Sequence, residues 1–390
     1  MMFDHFHNHV NIKTKQGKMG KKPDPKPPKQ QKKPKPKPQS SKPKHQQPSA
    51  SEEPAPALPL PLQQCLLTTF NTAFSPVLIS DSFQALLQEV KAALYARDFE
   101  AAFAQARPES LDAYAARWSP TRALGYASIL LDIGEHLAED VCRPVSDADG
   151  ANSGGDADSE DAASAGDAQR HIKMVSIGGG AAEIVAFAAY LSPNPSVKGS
   201  ITLLDSAPWS SVITKLHDAL TTPPPLSKYA SAAAKASNTA LIPQSHLSSA
   251  FAQQDVLNMS REQLSETLGK DALLVTLLFT LNELYTLAGI GKTTTFLLNL
   301  TATIPSGSLL LVVDSPGSYS ETAVGKESKK YPMQWLLDHT LIKDEPVEGC
   351  QWEKLESHDS IWFRLDDSLT YPIPLENMRY QMHLYRATRP

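Results

Sequence analysis

From Ile172 onwards, the chain alternates between two hydrophobic patterns. Short apolar runs rich in Val, Ile and Leu are followed by segments in which apolar residues recur every three or four positions, as in Ala181–Leu191. The first pattern predicts buried strands and the second predicts amphipathic helices. Their alternation is typical of an α/β fold with a mostly parallel sheet. We predict parallel strands at Met174–Ile177, Ile201–Leu204, Leu247–Gln254, Ala272–Phe279 and Ser308–Val313.

The segments on either side of this alternation predict a helical cap and a late pair of strands. Residues 62–137 have helical spacing, which the Pro-containing segment Arg117–Arg122 interrupts. Towards the C-terminus, Tyr331–Leu341 predicts a helix, whereas Trp352–Leu365 and Asn377–Arg386 are rich in β-formers. We expect the last segment to be an antiparallel strand that completes a seven-stranded sheet.

Two charged segments divide the chain further. Lys13–Lys44 contains thirteen lysines and one acid, whereas residues 145–169 contain seven acids and no Lys or Arg. Neither segment has enough apolar residues to fold, so we predict that both are disordered. The predicted layout is a Lys/Pro-rich tail (1–60), a helical region (61–144), an acidic insert (145–169) and an α/β domain (170–390).

Composition limits the compartment and the partners. The lysine-rich tail favours binding to polyanions and is compatible with either a nuclear address signal or an RNA tether. Cys65, Cys142 and Cys350 are too few and too dispersed for a disulfide framework or a zinc site. The N-terminus has no apolar signal region, and the longest apolar run, Ala272–Leu281, is about half the length of a membrane span. We therefore expect an intracellular protein without a metal site or a membrane segment.

A glycine run follows the first predicted strand of the sheet. Gly178, Gly179 and Gly180 lie between that strand and a helix, where a cofactor approaches the backbone in doubly wound α/β proteins. The dinucleotide fingerprint would require a glycine where Glu183 stands, and a carboxylate there would repel a pyrophosphate. S-adenosylmethionine (SAM) carries an ammonium and a sulfonium, so it tolerates an acid. The alternative is a tight turn with only a structural role.

Acidic residues follow the next two predicted strands. Asp205 ends the second strand, where a carboxylate can accept hydrogen bonds from both hydroxyls of a ribose. Asp255 and Val256 follow the third strand, where an acid can accept from an adenine amino group while an apolar side chain covers the ring. The alternatives are a helix N-cap at Asp205 and a capped turn before the capping-box helix Ser260–Leu268.

The central strand leads into the polar pair Asn282 and Glu283. Ligands of such sheets lie beyond the carboxyl ends of the strands, so this pair is placed to meet a substrate. The nearby Gly289–Thr294 resembles part of a P-loop but lacks its first glycine and a preceding strand, so we interpret Lys292–Ala302 as an ordinary helix. Upstream aromatic and basic residues could line the mouth of the cofactor site or simply pack; they are Trp118, Arg122 and Tyr126.

Five segments together resemble one family. The chain is similar to the fungal SAM-dependent methyltransferases that modify large-subunit ribosomal RNA at uridine N3. The resemblance covers roughly residues 65–390 without the acidic insert, and its most specific part is C-terminal. Its segments are Arg117–Ser128, Ser176–Glu183, Asn282–Tyr285, Ser360–Leu365 and Tyr371–Gln381, with Asp205 and Asp255 between them.

The resemblance implies a class I SAM-methyltransferase fold and methylation of 25S ribosomal RNA. Uracil N3 is an acidic imide nitrogen, so it can attack a methyl group once it has lost its proton, without a cysteine nucleophile. We expect Glu283 to be the base and Asn282 to hold the uracil edge, with Phe279 at the cofactor. The expected RNA contacts are Tyr285, Trp362, Arg364 and Arg379.

The implied partner is ribosomal RNA in a pre-60S particle, and the implied location is the nucleus or nucleolus, with the cytoplasm left open. Two alternatives stay open at this point: an inactive scaffold with a SAM fold, and a methyltransferase that acts on protein. The oligomeric state is not indicated by the sequence.

Overall fold

The computed structural model describes residues 58–144, 169–317, 319–324 and 327–389. The predicted tail and acidic insert lie outside these ranges except for residues 58–60 and 169, and the first helix already begins at Leu60. The helices are α1 (Leu60–Leu78), α2 (Phe83–Tyr95), α3 (Pro108–Asp132), α4 (Gly134–His136), α5 (Ala182–Leu191), α6 (Ser210–Thr221), α7 (Ala232–Ala236), α8 (Arg261–Leu268), α9 (Leu281–Thr303) and α10 (Met333–Leu341). The strands are β1 (Arg143–Pro144), β2 (Arg170–Ile177), β3 (Val197–Asp205), β4 (Leu247–Gln253), β5 (Leu274–Leu278), β6 (Leu309–Asp314), β7 (Tyr319–Val324), β8 (Glu327–Pro332), β9 (Gln351–Phe363) and β10 (Met378–Thr388).

One sheet organises the described part of the chain. Its main path has the order β4-β3-β2-β5-β6-β10-β9, and the two-residue strand β1 pairs beside β2. Strands β2 to β6 are parallel, whereas β10 is antiparallel to β6 and β9 is antiparallel to β10. This confirms the predicted seven-stranded sheet with a late antiparallel strand, and the fold is that of class I SAM methyltransferases. The carboxyl ends of the five parallel strands lie together at one edge.

Helices cover both faces of this sheet, which is why its central strands are apolar. Every residue of β5 and of β6 is buried. Helices α8, α9 and α10 pack over one face, and α3, α5 and α6 pack together in the other helical layer. Helix α8 begins with the predicted capping box, in which the Ser260 and Gln263 side chains each bond the other residue's backbone N–H. The apolar strands are therefore buried as their sequences predict, and α8 begins where its capping box predicts.

The predicted interruption at Arg117–Arg122 is wrong. Helix α3 runs through it from Pro108 to Asp132, with Pro120 inside. A proline cannot donate to the carbonyl four residues earlier, so the carbonyl of Ala116 lacks its usual helical partner. The Tyr371 hydroxyl donates to that carbonyl at 2.8 Å. A contact from the β9–β10 loop thus satisfies the group that the proline leaves open.

Two further features go beyond the prediction. The hairpin β7–β8 precedes α10, so that helix begins at Met333 rather than at Tyr331. Helix α9 is kinked at Gly289, whose φ of 76° is left-handed. The P-loop-like residues lie inside this kinked helix and follow no strand. Within the described residues, no helix is both long and apolar enough to cross a membrane.

Candidate cofactor and substrate site

A cavity of about 420 Å³ lies at the carboxyl ends of β2 to β5, beneath the helical layer. Its size lies within the range of small-molecule sites. Eight residues predicted from the sequence line it: Gly178, Gly180, Glu183, Asp205, Asp255, Val256, Phe279 and Glu283. The structure therefore collects most of the predicted cofactor and catalytic residues, which come from four separate strand ends, in one place.

Side chains of the protein pack closely against the glycine turn and leave no room for larger residues there. Gly178 has φ +72°, and a Cβ there would lie 2.2 Å from the Thr280 hydroxyl oxygen. A Cβ on Gly180 would lie 3.2 Å from the Trp209 ring. Gly179 lies behind the turn against Ser176 and does not line the cavity. Glycine lets the turn pass between these side chains and present its backbone to the cavity.

Glu183 stands in the first turn of α5 and is buried. Its Oε2 accepts a hydrogen bond of 3.0 Å from the backbone N–H of Gly180. Burial raises the pKa of this carboxyl, while the backbone N–H groups of Glu183 and Gly180 lower it. The acid that replaces the third glycine of the dinucleotide fingerprint thus closes the glycine turn.

Asp205 ends β3 with its carboxylate at the cavity wall. One oxygen accepts from the backbone N–H of Ala207 at 2.7 Å, and the Trp209 side chain also hydrogen-bonds the carboxylate. Burial raises the pKa of Asp205 to about 7, with the neighbouring Glu183 adding to the shift. Because an ionised carboxylate has about four acceptor positions, hydrogen-bonding capacity remains for a ligand. The side chain does not cap α6, whose N-cap is Trp209.

Asp255 holds a short turn and also lines the cavity. Its carboxylate accepts from the Leu257 backbone N–H at 3.0 Å and from the Asn258 side chain at 2.7 Å. The single 3₁₀ turn that it caps begins with Val256, which is buried at the cavity wall. The capped-turn alternative is therefore present in the structure, and contact of this acid with adenine stays a prediction.

Phe279 lies at the tip of β5 in a left-handed conformation, with φ 59°. Such a backbone is uncommon for a bulky residue and clusters at functional sites. The Arg122 guanidinium carbon lies 5.1 Å from the centroid of its ring, and the Tyr126 ring centroid lies 6.4 Å away. Of the upstream candidates Trp118, Arg122 and Tyr126, the last two therefore contact the end of β5. The Trp118 ring packs instead on the Tyr114 ring, with 5.0 Å between their centroids.

Glu283 faces the cavity from the first turn of α9. Burial raises its pKa to about 8, the charge of Arg122 opposes that rise, and Asp314 and Asp205 add to it. Asn282 does not line the cavity. Its backbone N–H donates to Asp314 at 2.9 Å, and its side-chain Oδ1 is buried without a hydrogen-bond partner among the described residues.

The four residues predicted to contact RNA lie outside the cavity. Tyr285 is 2% exposed and belongs to the hydrophobic core with α10. Trp362, by contrast, is 45% exposed. The guanidinium carbons of Arg364 and Arg379 lie 5.1 and 5.6 Å from its ring centroid. Arg379 pairs with Trp362 at the edge of the sheet where the carboxyl ends of the parallel strands lie. This Arg–Trp–Arg cluster therefore lies at the same edge as the cavity.

The helical layer supplies lining residues that the sequence analysis missed. Phe103 and Tyr114 have ring centroids 5.0 Å apart, and both rings pack near Trp209, at 5.9 and 5.7 Å. All three line the cavity. Tyr114, Trp118 and Arg122 recur every four residues in an otherwise Ala-rich helix, and this spacing could have marked one functional face.

The chemistry of this cavity fits SAM. Five carboxyl side chains line it, which suits a ligand with an ammonium and a sulfonium. The backbone of the glycine turn and the N-terminus of α5 can receive its carboxylate. Asp205 occupies the strand end at which a ribose is bound in such sheets. Among the described residues no group of side chains could hold a metal ion.

Two solved structures with a similar chain path are distant in sequence. An O-methyltransferase family protein from Burkholderia thailandensis covers 79% of this chain and 71% of its own, at 10% identity and a TM-score of 0.38. The CurJ carbon methyltransferase covers 84% of this chain and 70% of its own, at 11% identity and a TM-score of 0.34. Likeness at this level carries no argument about substrate or mechanism.

Sequence comparison is more decisive. The chain is 33% identical over 324 residues to 25S rRNA (uridine(2843)-N(3))-methyltransferase of Saccharomyces cerevisiae, covering 77% of this chain and 76% of the yeast protein. Residues 70–386 match the model of methyltransferase family 34, a family of SAM-dependent methyltransferases. The chain belongs to this family and is a SAM-dependent methyltransferase.

Proposed function

We propose that this enzyme methylates N3 of a uridine in large-subunit (25S) ribosomal RNA. The observation that carries the proposal is Glu283, a carboxyl at the cavity with its pKa raised to about 8. A general base works best when its pKa is close to the working pH and to that of the proton donor. The name of the yeast relative supports the choice of acceptor atom and of RNA.

Different residues of the cavity contact different parts of SAM in this proposal. The turn closed by Glu183 would hold the methionine end of SAM, Asp205 would accept hydrogen bonds from the ribose, and Asp255 with Val256 would contact the adenine. When bound, SAM would supply an electrophilic methyl group to the acceptor nitrogen. Phe279 and Glu283 lie at the end of β5 and orient the uracil edge towards that methyl group.

Glu283 removes the imide proton. The N3–H bond of uracil breaks, the proton passes to a Glu283 oxygen, and the electron pair stays on N3. Asn282 supports this geometry through its backbone, because Asp314 accepts from its N–H and fixes the start of α9. Since N3 is hidden in a base pair, the target uridine has to be unpaired or flipped out of its helix.

The Arg–Trp–Arg cluster is the proposed docking surface for the RNA strand next to the target. Two guanidinium groups can contact phosphates, while the exposed indole offers an edge or a face to a base. Tyr285 lies in the core, so a role for it in substrate binding would be indirect.

We also propose that the enzyme acts on pre-60S particles in the nucleolus, with the lysine-rich segment Lys13–Lys44 serving as the address or as an RNA tether. A fluorescent fusion that lacks residues 1–57 tests this idea. Retention of the truncated fusion in the nucleolus at full intensity would remove the tail from both roles.

The proposed activity is tested with the purified full-length protein, radiolabelled SAM and a 25S ribosomal RNA fragment that contains the uridine matching the yeast target. We expect N3-methyluridine in the digested RNA. Glu283→Gln should lower the turnover by about 100-fold or more while SAM still binds, and Glu266→Gln, an exposed acid on α8, serves as the control. Label incorporated only into ribosomal protein, or no transfer to any ribosomal substrate, would refute the proposal.

A further inference from the structure

Arg122 is the only cationic side chain among the described residues that line the cavity. It projects from the middle of α3, and its Nη1 donates to the Tyr114 hydroxyl at 2.7 Å. Its guanidinium carbon lies 5.1 Å from the centroid of the Phe279 ring. The Tyr114 hydroxyl and the Phe279 ring therefore hold the Arg122 guanidinium at the end of β5.

The ionisable groups around Arg122 come from four different elements. They are Tyr114 and Tyr126 on α3, Glu283 on α9, Glu183 on α5 and Asp314 at the end of β6. Among the acids, Glu283 interacts with it most strongly, and Arg122 is in turn the strongest charged neighbour of Glu283. The cation and the proposed base thus form one electrostatic unit at the substrate end of the cavity.

Proton transfer from uracil moves a negative charge across this unit. When the N3–H bond breaks, Glu283 becomes neutral, and the electron pair left on N3 is shared with the carbonyl oxygens O2 and O4. The total charge does not change, but the negative charge has moved from Glu283 to the uracil ring. A fixed cation beside both groups can stabilise the new anion without reorganising, which is the most effective form of electrostatic catalysis.

We propose that Arg122 is a catalytic residue whose guanidinium contacts a uracil carbonyl oxygen and stabilises the imidate anion formed at N3. This inference rests on the proposed function and deepens it. The Arg122 charge faces Glu283 before the proton transfer and the substrate anion after it. Tyr126, one helical turn further along α3, does not line the cavity, and its ring centroid lies 6.4 Å from that of Phe279.

The test compares Arg122→Met and Arg122→Lys with the wild type and with Arg117→Met. Arg117 lies on the same helix, outside the cavity, where it pairs with Glu376. All variants are full-length chains, and each is assayed on the same RNA fragment containing either uridine or 5-fluorouridine. Fluorine withdraws electrons and makes the imide more acidic, so its anion needs less help from the protein. Calorimetric titration with SAM provides a readout that is independent of turnover.

We expect Arg122→Met to lower kcat by about 100-fold, Arg122→Lys to recover part of it, and Arg117→Met to match the wild type. SAM affinity should change far less than kcat in all three variants, and retained binding also shows that they are folded. The apparent pKa of the rate profile should rise in Arg122→Met, because Arg122 lowers the pKa of Glu283. The Arg122→Met defect should shrink on 5-fluorouridine RNA.

Three results would overturn the inference while leaving the proposed function intact. A large loss of SAM affinity with normal kcat at saturating SAM would assign Arg122 to the cofactor carboxylate. Equal rates for Arg122→Met and the wild type would remove it from the reaction. If Arg122→Met lowered kcat equally on the uridine and the 5-fluorouridine RNA, Arg122 would position the substrate rather than stabilise its anion. By contrast, a wild type inactive on both RNAs would refute the proposed function itself, and this inference with it.

Discussion

Glu183 accepts a hydrogen bond from the backbone N–H of Gly180 at 3.0 Å, inside the turn that joins β2 to α5. A carboxylate at this position therefore belongs to the turn itself. It occupies the place that a pyrophosphate would need, and it adds negative charge beside the expected position of a cationic cofactor. The Glu183 carboxylate therefore disfavours a pyrophosphate at this turn and favours a cationic ligand.

Replacing Glu183 should remove the hydrogen bond that links the glycine turn to the first turn of α5. Glu183→Ala leaves the Gly180 N–H buried without a partner, which costs about 1–3 kcal/mol of stability. We expect a lower melting temperature together with weaker SAM binding. Glu183→Gln keeps an acceptor oxygen and should lie between the wild type and Glu183→Ala in a thermal unfolding assay. A Glu183→Ala protein as stable as the wild type would contradict the structural role.

Asp205 should determine the affinity for the ribose. Asp205→Ala removes a charged hydrogen-bond acceptor from the end of β3, worth about 1.5–3 kcal/mol. SAM affinity should therefore fall by about 10-fold to 100-fold in calorimetric titration. Asp218→Ala, on α6, is the control. Unaltered SAM binding by Asp205→Ala would show that this carboxylate only supports the turn at Ala207.

SAM binding should release protons near neutral pH. Burial is the largest cause of the raised pKa of Asp205, about 7, of Glu283, about 8, and of Asp314, about 6. These carboxyls therefore retain protons that an ordinary Asp or Glu would have lost. A nearby cation favours their ionised form, so affinity should rise from about pH 6 to about pH 8.5.

Titrations at neutral pH in phosphate and in Tris measure this release. The apparent binding enthalpies should differ by the number of protons released times the difference in ionisation enthalpy of the two buffers. Equal enthalpies in both buffers, or an affinity that falls as the pH rises, would show that SAM binding does not ionise these carboxyls and would contradict the prediction.

The Arg–Trp–Arg cluster should control RNA affinity without affecting SAM. In an Arg364→Ala/Arg379→Ala variant, the slope of the logarithm of RNA affinity against the logarithm of salt concentration should be smaller by about 1.4, at about 0.7 for each lost phosphate contact. Trp362→Ala should weaken RNA binding with little change in that slope. Arg107→Ala, a surface arginine paired with Glu89, is the control. An unchanged salt slope in the double variant would place the RNA elsewhere.

Much of this architecture follows from local signals. The apolar run of β5 reflects burial on both faces, and the alternation of strands and helices then fixes where Asp205 and Glu283 meet. Helix geometry explains why the neighbouring Tyr285 does not join them. Two residues further along a helix, a side chain points about 200° away, and here it enters the core.

Other features depend on contacts between distant parts of the chain. Helix α3 continues past Pro120 because Tyr371, 255 residues after Ala116, hydrogen-bonds the carbonyl that the proline leaves unpaired. The place of Arg122 beside Phe279 depends on how that helix packs on the sheet. No local pattern encodes either contact, so the sequence marked Arg122 and Phe279 as candidates without bringing them together, and it did not mark the contact of Tyr371 at all.

The most direct test of the account is to map N3-methyluridine in the 25S ribosomal RNA of cells that lack this protein. Because a methyl group on N3 blocks Watson–Crick pairing, reverse transcriptase stops at the modified nucleotide. We predict that the stop disappears on deletion, returns with the wild-type gene and does not return with Glu283→Gln. A stop that persists in the deleted cells, or that Glu283→Gln restores in full, would contradict the proposed activity or the proposed base, respectively.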